Sequence, residues 1–472
     1  MTTRREFVRN SIVGFGGLSV GSSLLAYRPS SLSYNRPNKN RRKFRSSAID
    51  KVIESAQNSI KDKDLSKLFT NCYPNTIDTT VDWNGSYTRP DTFVITGDID
   101  AMWLRDSTAQ VWPYIPYINN DEKLKAMIAG LINRQIKCVH IDPYANSFNK
   151  KATGGPWNSD HTDMKPEIHE RKWEIDSLCY VIRLSYGYWQ ESKDDSLFGT
   201  KWYEAMKLIV KTFKEQQRIE NKGPYSFMRT TPIATDTVAG RGWGNPAKPN
   251  GLICSMFRPS DDSTIFPYLI PSNFFAVASL RQLSEMLSAI FKDDAFAEDA
   301  LELAASVEEA INKYATKDHP EFGTILAYEV DGFGNQLFMD DANIPSLLSL
   351  PYLSCIDSSS EIYQNTRRFV LSSNNPYYFE GKAAKGVGSP HTGVDTIWHM
   401  SLIMQAMTST DSNEIKELLE TIKETHGGKW FMHESFDKDN ASQFSRHWFA
   451  WANTLFGELI LKVLKDHPDL LS

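Results

Sequence analysis

Two stretches of this sequence place carboxylates beside histidine, arginine and aromatic residues. SMFRPSDDSTIFPYLIPSN, residues 255–273, contains the adjacent pair Asp261 and Asp262, and KWFMHESFDKDNASQFSRH, residues 429–447, contains Glu434. Adjacent carboxylates repel each other, so one of them tends to keep its proton near neutral pH, as a general acid must. A single carboxylate elsewhere could act as the general base for water. These residue types favour hydrolysis by a pair of carboxyl groups.

Two further stretches carry residue types that bind polyhydroxylated ligands. GDIDAMWLRDSTAQVWPY, residues 97–114, gathers acids and an arginine around a tryptophan, and GVGSPHTGVDTIW, residues 386–398, places a histidine in a glycine-rich loop. Arginine and carboxylate groups bind hydroxyls in forked geometry, and aromatic faces line ligand pockets. The structural alternative is that these residues cap helices and form ion pairs. The candidate substrate-binding residues are Asp98, Asp100, Trp103, Arg105, Asp106, Trp173, Arg258, His391, Thr392 and His433, with Trp243 as a further candidate platform.

Composition excludes several other classes of function. The 472 residues include 52 basic and 58 acidic side chains, a formal net charge of −6, and 41% are hydrophobic. This balance is typical of a globular protein and argues against nucleic acid as the partner, because phosphate binding needs clustered Lys and Arg. There is no GxxxxGK[ST] phosphate loop, no GxGxxG and no HExxH, so nucleotide chemistry drops out.

Helices must position these stretches, because apolar residues recur every three to four positions through most of the chain. Ile175–Trp189 and Leu303–Tyr314 show this spacing, which is typical of one helix face. Similar stretches lie at 49–70, 105–117, 121–139, 200–217, 273–291, 344–353, 361–371, 393–408, 413–425 and 444–464.

Roughly twelve helices predict an all-α fold, an (α/α) toroid of six helical hairpins. The stretch 444–464 is apolar on nearly all sides and is predicted in an inner ring, whereas the one-sided helix 295–316 is predicted in an outer ring. Small β-hairpins are predicted in the loops, one at 323–339 turning at Asp331-Gly332 and a second around 225–231.

The N-terminal segment differs from the rest. Residues 1–27 combine Arg4 and Arg5 with a mildly apolar run, which predicts a twin-arginine-like export signal and a periplasmic location. A mitochondrial-type presequence is the alternative, and an uncleaved signal would anchor the protein to a membrane. Residues 28–48 are predicted to be a disordered basic linker, and 49–472 a single catalytic domain. The five cysteines are widely spaced without a C-x-x-C pair, which predicts mostly buried, reduced thiols.

Four strings closely resemble glycoside hydrolase family 125, the bacterial and fungal exo-α-1,6-mannosidases. They are GDIDAMWLRDSTAQVWPY, FRPSDDSTIFPYLIPSN, SPHTGVDTIWHMS and KWFMHESF, and the resemblance spans about residues 49–466. It implies release of non-reducing terminal α-1,6-linked mannose from oligosaccharides or N-glycans, with inversion and without a metal or cofactor. It also implies Asp261 or Asp262 as the catalytic acid, with Asp261 favoured, and Glu434 as the catalytic base.

Inversion sets physical requirements for that pair. The two carboxyl groups must stand roughly 6.5–9.5 Å apart to leave room for water. The acid is expected to have a raised pKa, because a second Asp adjoins it and it is partly buried.

Three other interpretations are open at this point. A sugar epimerase on the same fold would use a histidine pair, for which His161 and His169 are candidates. A non-catalytic glycan-binding protein would use the same aromatic and arginine residues without an acid and a base. A metal-dependent mannosidase would need ligands such as His161, Asp163, Glu167 and His169, although a solvated loop is the simpler interpretation of that cluster.

Overall fold

The computed structural model describes residues 35–472, and this part of the chain is mostly helical. Two irregular helices extend the regular ones: a 3-10 helix, Trp112–Asn120, follows α4, and a π turn, Leu287–Phe291, ends α8. The α-helices are α1 (Ser47–Ser59), α2 (Lys63–Cys72), α3 (Asn75–Thr79), α4 (Leu104–Val111), α5 (Glu122–Ile141), α6 (Ile175–Ser192), α7 (Thr200–Gln216), α8 (Ile270–Met286), α9 (Asp294–Tyr314), α10 (Glu361–Val370), α11 (His399–Met407), α12 (Ser412–Glu424) and α13 (Ala450–Asp466).

The strands are short and form small antiparallel sheets in the loops. Three three-stranded sheets have the orders β3-β4-β5, β10-β9-β6 and β13-β14-β15, and β1-β2, β7-β8 and β11-β12 are two-stranded. Their bounds are β1 (Val81–Trp83), β2 (Thr92–Val94), β3 (Met102–Trp103), β4 (Ser147–Phe148), β5 (Ile168–Glu170), β6 (Tyr268–Leu269), β7 (Thr316–His319), β8 (Gly323–Leu326), β9 (Glu329–Val330), β10 (Gln336–Leu337), β11 (Tyr378–Glu380), β12 (Lys385–Val387), β13 (Thr396–Trp398), β14 (Ser435–Asp437) and β15 (Asn440–Phe444).

Five helices form a continuous row of neighbours in the core. Helix α11 packs on α13, α13 on α4, α4 on α6, and α6 on α8. All eight residues of α4 are buried, and α13, predicted to lie inside, buries residues around most of its circumference. Helix α9, predicted to lie outside, buries one face against α8. Helix α8 with its π turn is long and apolar enough to cross a membrane, but it packs on α6 and α9 as a core helix does.

The core helices begin without a side-chain cap, a feature that they share with α3, α7 and α10. Helices α1, α2, α5, α9 and α12 each start with a side chain that accepts a backbone N–H. The five core helices α4, α6, α8, α11 and α13 start without such a cap. Their first N–H groups and the positive ends of their dipoles therefore point toward the preceding loops. Those loops carry the residues singled out by their chemistry.

Three helix and strand predictions are wrong in detail. The stretch 344–353 is a series of turns, because Pro345 and Pro351 lack the N–H that a helix needs. Strand β8 pairs with β7, and a separate hairpin, β9-β10, contains the predicted turn at Asp331-Gly332. The second predicted hairpin is a single bridge between Met228 and His161.

The predicted linker is also shorter than expected. Arg36 Nε donates to Asp78 Oδ2 over 2.7 Å, and Phe44 is 2% exposed. Both Lys43 and Phe44 donate backbone hydrogen bonds to the α3 region. The basic composition suggested a solvated segment, but its charges pair with buried Asp78, so residues 35–48 belong to the folded domain. The predicted export signal lies outside the described residues.

The five cysteines are free thiols, as predicted, and all but the partly buried Cys355 are buried.

Candidate active site

A cavity lies where the loops before the core helices meet. Its lining residues come from loops far apart in the chain: Thr96, Ile99, Trp103, Arg105, Asp106, Pro259, Ser260, Asp261, Asn343, His391, Trp398, Glu434, Arg446, Phe449 and Trp451. The cavity therefore brings together both members of the predicted carboxyl pair.

Asp261 reaches the cavity from a tight turn before α8. Its backbone is in the left-handed region, with φ +64°, a conformation that aspartate tolerates better than most residues. Arg105 Nη2 and Asn146 Nδ2 donate to Asp261 Oδ1 over 3.4 and 3.3 Å, and Lys172 Nζ donates to its backbone carbonyl. Its side chain is 27% exposed, so the carboxyl is open to the cavity.

The protonation of Asp261 differs from the prediction. Burial alone would raise the pKa of Asp261, but the positive charges of Arg105 and Lys172 outweigh burial and the pKa is lowered. The neighbouring Asp262 does not raise it, because that side chain is directed toward His391 instead. The expected raised pKa is therefore wrong for Asp261 in the free protein.

Asp262 lies beneath the cavity rather than on it. Its residue is 5% exposed, and Oδ1 stands 3.5 Å from Nδ1 of His391. Burial would lower the pKa of His391, but the hydrogen bond and charge of Asp262 raise it to about 9. His391, itself about two-fifths exposed, thus carries a positive charge on the cavity wall near neutral pH.

Glu434 stands on the loop before α13. Ser445 Oγ donates to its Oε2 over 2.9 Å, and Arg446 Nη1 donates to its Oε1 over 3.2 Å. These two hydrogen bonds fix the carboxyl group on the cavity wall, where a general base must stand to reach a water molecule.

His433 supports this loop from inside the protein. Its ring stacks on Phe444 with 3.9 Å between centroids, and its two nitrogens contact the carbonyls of Arg446 and His426. Burial lowers the pKa of His433 to about 4. It is a neutral structural residue and does not line the cavity, contrary to its prediction as a substrate-binding residue.

Arg105 stands at the centre of a buried carboxylate cluster. Nη1 contacts Glu174 Oε2 at 2.6 Å and Asp176 Oδ2 at 3.1 Å, while Nη2 contacts Asp261. Asp106 lies 3.5 Å from Nε and also accepts a hydrogen bond from Thr96. Burial raises the pKa of Asp106, Glu174 and Asp176 despite this arginine.

Three polar groups on the cavity wall have no hydrogen-bond partner within the described part of the chain. They are Trp103 Nε1, Arg105 Nε and Asn343 Nδ2. Buried donors left unpaired cost free energy. A ligand with several hydroxyl groups would satisfy these donors.

Several predicted binding residues hold the site together rather than line it. Asp98 forms an ion pair with Arg446, Arg258 Nε donates to buried Glu329 over 2.6 Å, and Thr392 accepts a hydrogen bond from Trp398 Nε1. Asp100 is exposed and outside the cavity lining. For Asp98, Arg258 and Thr392, a nearby charge or donor in the fold satisfies the polar group.

Both additional tryptophan candidates also lie elsewhere. Trp173 is 1% exposed, packs on Tyr144, and donates from Nε1 to the carbonyl of Cys254. Trp243 is partly buried beneath Lys222 and does not line the cavity. A buried tryptophan in a large core has the same sequence signature as a sugar platform, so composition could not separate the two.

Sequence reasoning missed part of the wall. Asn343 lies just before 344–353, which the sequence predicts as a helix, so no pattern indicates that this segment belongs to a site. Phe449 and Trp451 were assigned to the apolar helix that follows. Arg446 also lines the cavity, where its guanidinium contacts Glu434.

The predicted histidine and metal clusters do not form. No group of three metal-ligating side chains occurs among residues 35–472. His161 is exposed and bridges Met228 through its backbone, whereas His169 is buried with its ring 5.4 Å from that of Trp103. Neither histidine lines the cavity, so the epimerase pair is not at this site.

A helical core with two carboxyl groups in one cavity is an arrangement that a glycoside hydrolase can use. The family model described as metal-independent alpha-mannosidase, GH125, matches residues 62–461. The chain belongs to glycoside hydrolase family 125. This membership sets aside the non-catalytic and epimerase interpretations.

Relatives agree with this assignment. The meiotically up-regulated gene 157 protein of Schizosaccharomyces pombe is 42% identical over 462 residues, covering 94% of this chain and 91% of its own. A solved metal-independent alpha mannosidase from Streptococcus pneumoniae, in a non-productive substrate complex with alpha-1,6-mannobiose, is 41% identical with a TM-score of 0.86, covering 90% of this chain and 99% of that one.

A more distant structure shares the fold alone. A bacterial glucoamylase complexed with acarbose is 12% identical with a TM-score of 0.51, over 90% of this chain and 58% of that one.

Proposed function

We propose that this protein is an exo-acting α-1,6-mannosidase that releases non-reducing terminal mannose from glycans with inversion. The observation that carries the proposal is that Asp261 and Glu434, from loops before two different core helices, line one cavity. The family supplies the α-mannosidase activity. The mannobiose complex of the 41% identical relative, described in connection with the processing of N-linked glycans, supports the α-1,6 linkage and glycan substrates.

The two carboxyl groups receive different roles from their surroundings. Asp261, protonated in the substrate complex, gives its proton to the glycosidic oxygen as the bond to C1 breaks. Glu434, oriented by its hydrogen bonds from Ser445 and Arg446, takes a proton from the water that attacks C1 on the opposite face. One acid and one base on opposite faces give inversion. The terminal mannose would satisfy the free donors of Trp103, Arg105 and Asn343.

Asp261 is favoured over Asp262 as the acid on geometric grounds. Asp261 lines the cavity, whereas Asp262 is buried against His391. A general acid must reach the leaving oxygen within hydrogen-bond distance. Asp262 instead serves to hold His391 in its charged form.

The walls of the cavity support the exo mode. Trp398, Phe449 and Trp451 are buried side chains on its wall, so aromatic side chains bound the space. A pocket of this kind fits the end of a glycan chain better than its middle.

We also infer that the core row closes into the predicted toroid. Segment 340–353 occupies the sixth position, where a helix was expected. Tyr180 of α6 donates to the carbonyl of Ile344, and Ala342 donates to the carbonyl of Gly388 on the loop before α11. Segment 340–353 thus contacts α6, the neighbour of the end helix α8, and the loop before α11 at the other end of the row, which supports closure.

We propose that residues 1–27 direct export through a twin-arginine-like signal. Replacing Arg4 and Arg5 with lysine should abolish twin-arginine transport of the full chain while leaving its synthesis unchanged. Export that is unaffected by these changes would contradict the twin-arginine signal.

The main experiment is proton NMR of α-1,6-mannobiose with the purified protein and a chelator. Early appearance of β-mannose, lost in Glu434→Ala, is the expected result. Appearance of α-mannose first would overturn inversion, and release of internal fragments from longer α-1,6-mannans would overturn the exo mode.

Matched variants separate the two aspartates. Asp261→Asn should lower kcat on mannobiose by about 10²–10⁴-fold, but should retain activity on 2,4-dinitrophenyl α-mannoside, whose leaving group needs no acid. Asp262→Asn should lose less activity on mannobiose. The reverse order would assign the acid to Asp262.

A further inference from the structure

Asp261 and Glu174 form a closely joined pair of carboxyl groups. Both contact Arg105, Glu174 at Nη1 and Asp261 at Nη2, and both accept from Asn146 Nδ2 over 3.3 Å. The two carboxyl groups therefore adjoin each other, because the same guanidinium and the same amide hold both of them. Two carboxylates this close cannot both ionise without strong repulsion, so the pair titrates as a unit and holds one proton.

The charges around the pair support retention of that proton. Arg105 alone contacts four carboxyl groups, Asp106, Glu174, Asp176 and Asp261. The other charged groups nearby are Glu170, Lys172, Arg229, Asp160, Asp236 and His391. Lys172 and Arg229 form ion pairs with Glu170, Asp236 and Asp160. The carboxyl groups around Arg105 therefore outnumber the positive charges that are left to pair with them.

Burial divides the proton unequally between the pair. Glu174 is fully buried just before α6, whereas Asp261 is open to the cavity and faces Lys172. Burial raises the pKa of Glu174 well above its ordinary range, whereas that of Asp261 is lowered. The resting arrangement is therefore neutral Glu174 beside ionised Asp261.

We propose that Glu174 is a positioning residue that stores the catalytic proton and passes it to Asp261 when substrate occupies the cavity. The inference rests on the proposed role of Asp261 as the acid. Substrate displaces water from Asp261 and so disfavours its charge, which drives the transfer.

The proton balance closes over one turnover. The proton moves from the Glu174 carboxyl to the Asp261 carboxylate, and then to the glycosidic oxygen as its bond to C1 breaks. The attacking water gives one proton to Glu434. After product leaves, Glu434 releases that proton to solvent and the pair takes one from solvent.

The pH profile of Glu174→Gln tests this role. In the wild type, loss of the shared proton leaves two adjacent carboxylates, so the alkaline limb of kcat/KM for mannobiose lies at high pH. Glutamine cannot hold that proton, and Asp261 then ionises beside Arg105 and Lys172 alone. The alkaline limb should move to lower pH by at least about one unit, whereas the pH profile of activity on 2,4-dinitrophenyl α-mannoside, which needs no acid, should show no such shift.

Asp176→Asn is the matched control. It removes an equally buried carboxylate from Arg105, but one that makes no hydrogen bond to Asp261. The limb should move less than in Glu174→Gln. Equal shifts in the two variants, or an unmoved limb in Glu174→Gln, would overturn the proposal.

Two further results keep the tests separate. Full mannobiose activity in Asp261→Asn would overturn the proposed acid, whereas loss in that variant with an unmoved limb in Glu174→Gln would overturn only the proton store. If Glu174→Gln does not fold, neutron diffraction from deuterated wild-type crystals decides the question. A deuteron on Glu174 facing Asp261 supports the proposal, and its absence contradicts it.

Discussion

Arg446 bridges Glu434 and Asp98, and Asp98 lies 348 positions earlier in the chain. The guanidinium donates from Nη1 to Glu434, and from Nε to Asp98 Oδ2 over 3.1 Å. Asp98 therefore draws part of the positive charge away from the proposed base. This contact gives Asp98, which the sequence suggested as a sugar ligand, a role as the ion-pair partner of Arg446.

Asp98→Asn should weaken catalysis with little effect on folding. Arg446, released from Asp98, would pair more tightly with Glu434 and make it a weaker base, so kcat should fall about three- to tenfold. The control is Asp82→Asn, which breaks a surface pair with Lys150 of similar carboxylate exposure, 48% against 49%. Both variants should keep Tm nearly unchanged. Equal kcat in the two variants would contradict the role of Asp98.

The charge on His391 should depend on Asp262. In the wild type the pKa of His391 is raised to about 9, so the ring stays charged through neutral pH and loses its proton as pH rises through about 9. In Asp262→Asn the raising partner is gone, and the midpoint should fall by at least about one unit. NMR titration of the His391 ring measures both midpoints, and identical midpoints would refute the pairing.

Buried Glu458 on α13 should make stability depend on pH. Burial raises its pKa from 4.5 to about 7, while Tyr352 donates a 2.8 Å hydrogen bond to it. The folded protein binds this proton more tightly than the unfolded chain does. The contribution is full below pH 4.5 and is lost as pH rises through about 7, at about 1.4 kcal/mol per pH unit between those values.

Glu458→Gln keeps an acceptor for Tyr352 and removes the titrating group. Denaturant unfolding of both proteins between pH 4.5 and 7 should show a flatter dependence in the variant. Asp340, whose pKa burial also raises to about 7, leaves a residual slope in both, so the difference between the two curves is the measured quantity. Parallel curves would contradict the assignment.

The segment before α1 should contribute measurably to stability. Removing residues 1–46 deletes the buried Phe44 ring and the Arg36 partner of buried Asp78, whereas removing residues 1–34 retains both. The longer truncation should lower the free energy of unfolding by about 3–5 kcal/mol relative to the shorter one. The loss of the buried Phe44 ring is by itself enough to produce a difference of this size. The single variant Phe44→Ala should reproduce most of this loss in denaturant titrations, and equal stability of the two truncations would be the contrary result.

The sequence predicted most helices because their apolar spacing is strong. It predicted α13 as an inner helix and α9 as an outer one for the same reason. It failed at 344–353, where apolar residues alternate with prolines and the backbone is held by side chains: Asp340 accepts the N–H groups of Leu347 and Leu348. Contacts of this kind leave no periodic signal.

The site was predictable by residue type more than by role. Asp261, Glu434, Arg105 and His391 all line the cavity as predicted for ligand or catalytic groups, because such dense charge beside aromatic residues is unusual on a plain surface. No sequence pattern marks Glu174 as functional, since a lone glutamate before an apolar helix has an ordinary structural interpretation. Its importance comes from its approach to Asp261, 87 positions later by the numbering, which no local pattern reveals.

The contact between Asp98 and Arg446 also bears on biosynthesis. Helix α13, the last α-helix of the described chain, packs on α2, α3 and α4 from its beginning. These early helices therefore stay incompletely packed until α13 has left the ribosome. The enzyme acquires Glu434 at the same late stage, so a nascent mannosidase stays inactive until its fold is complete.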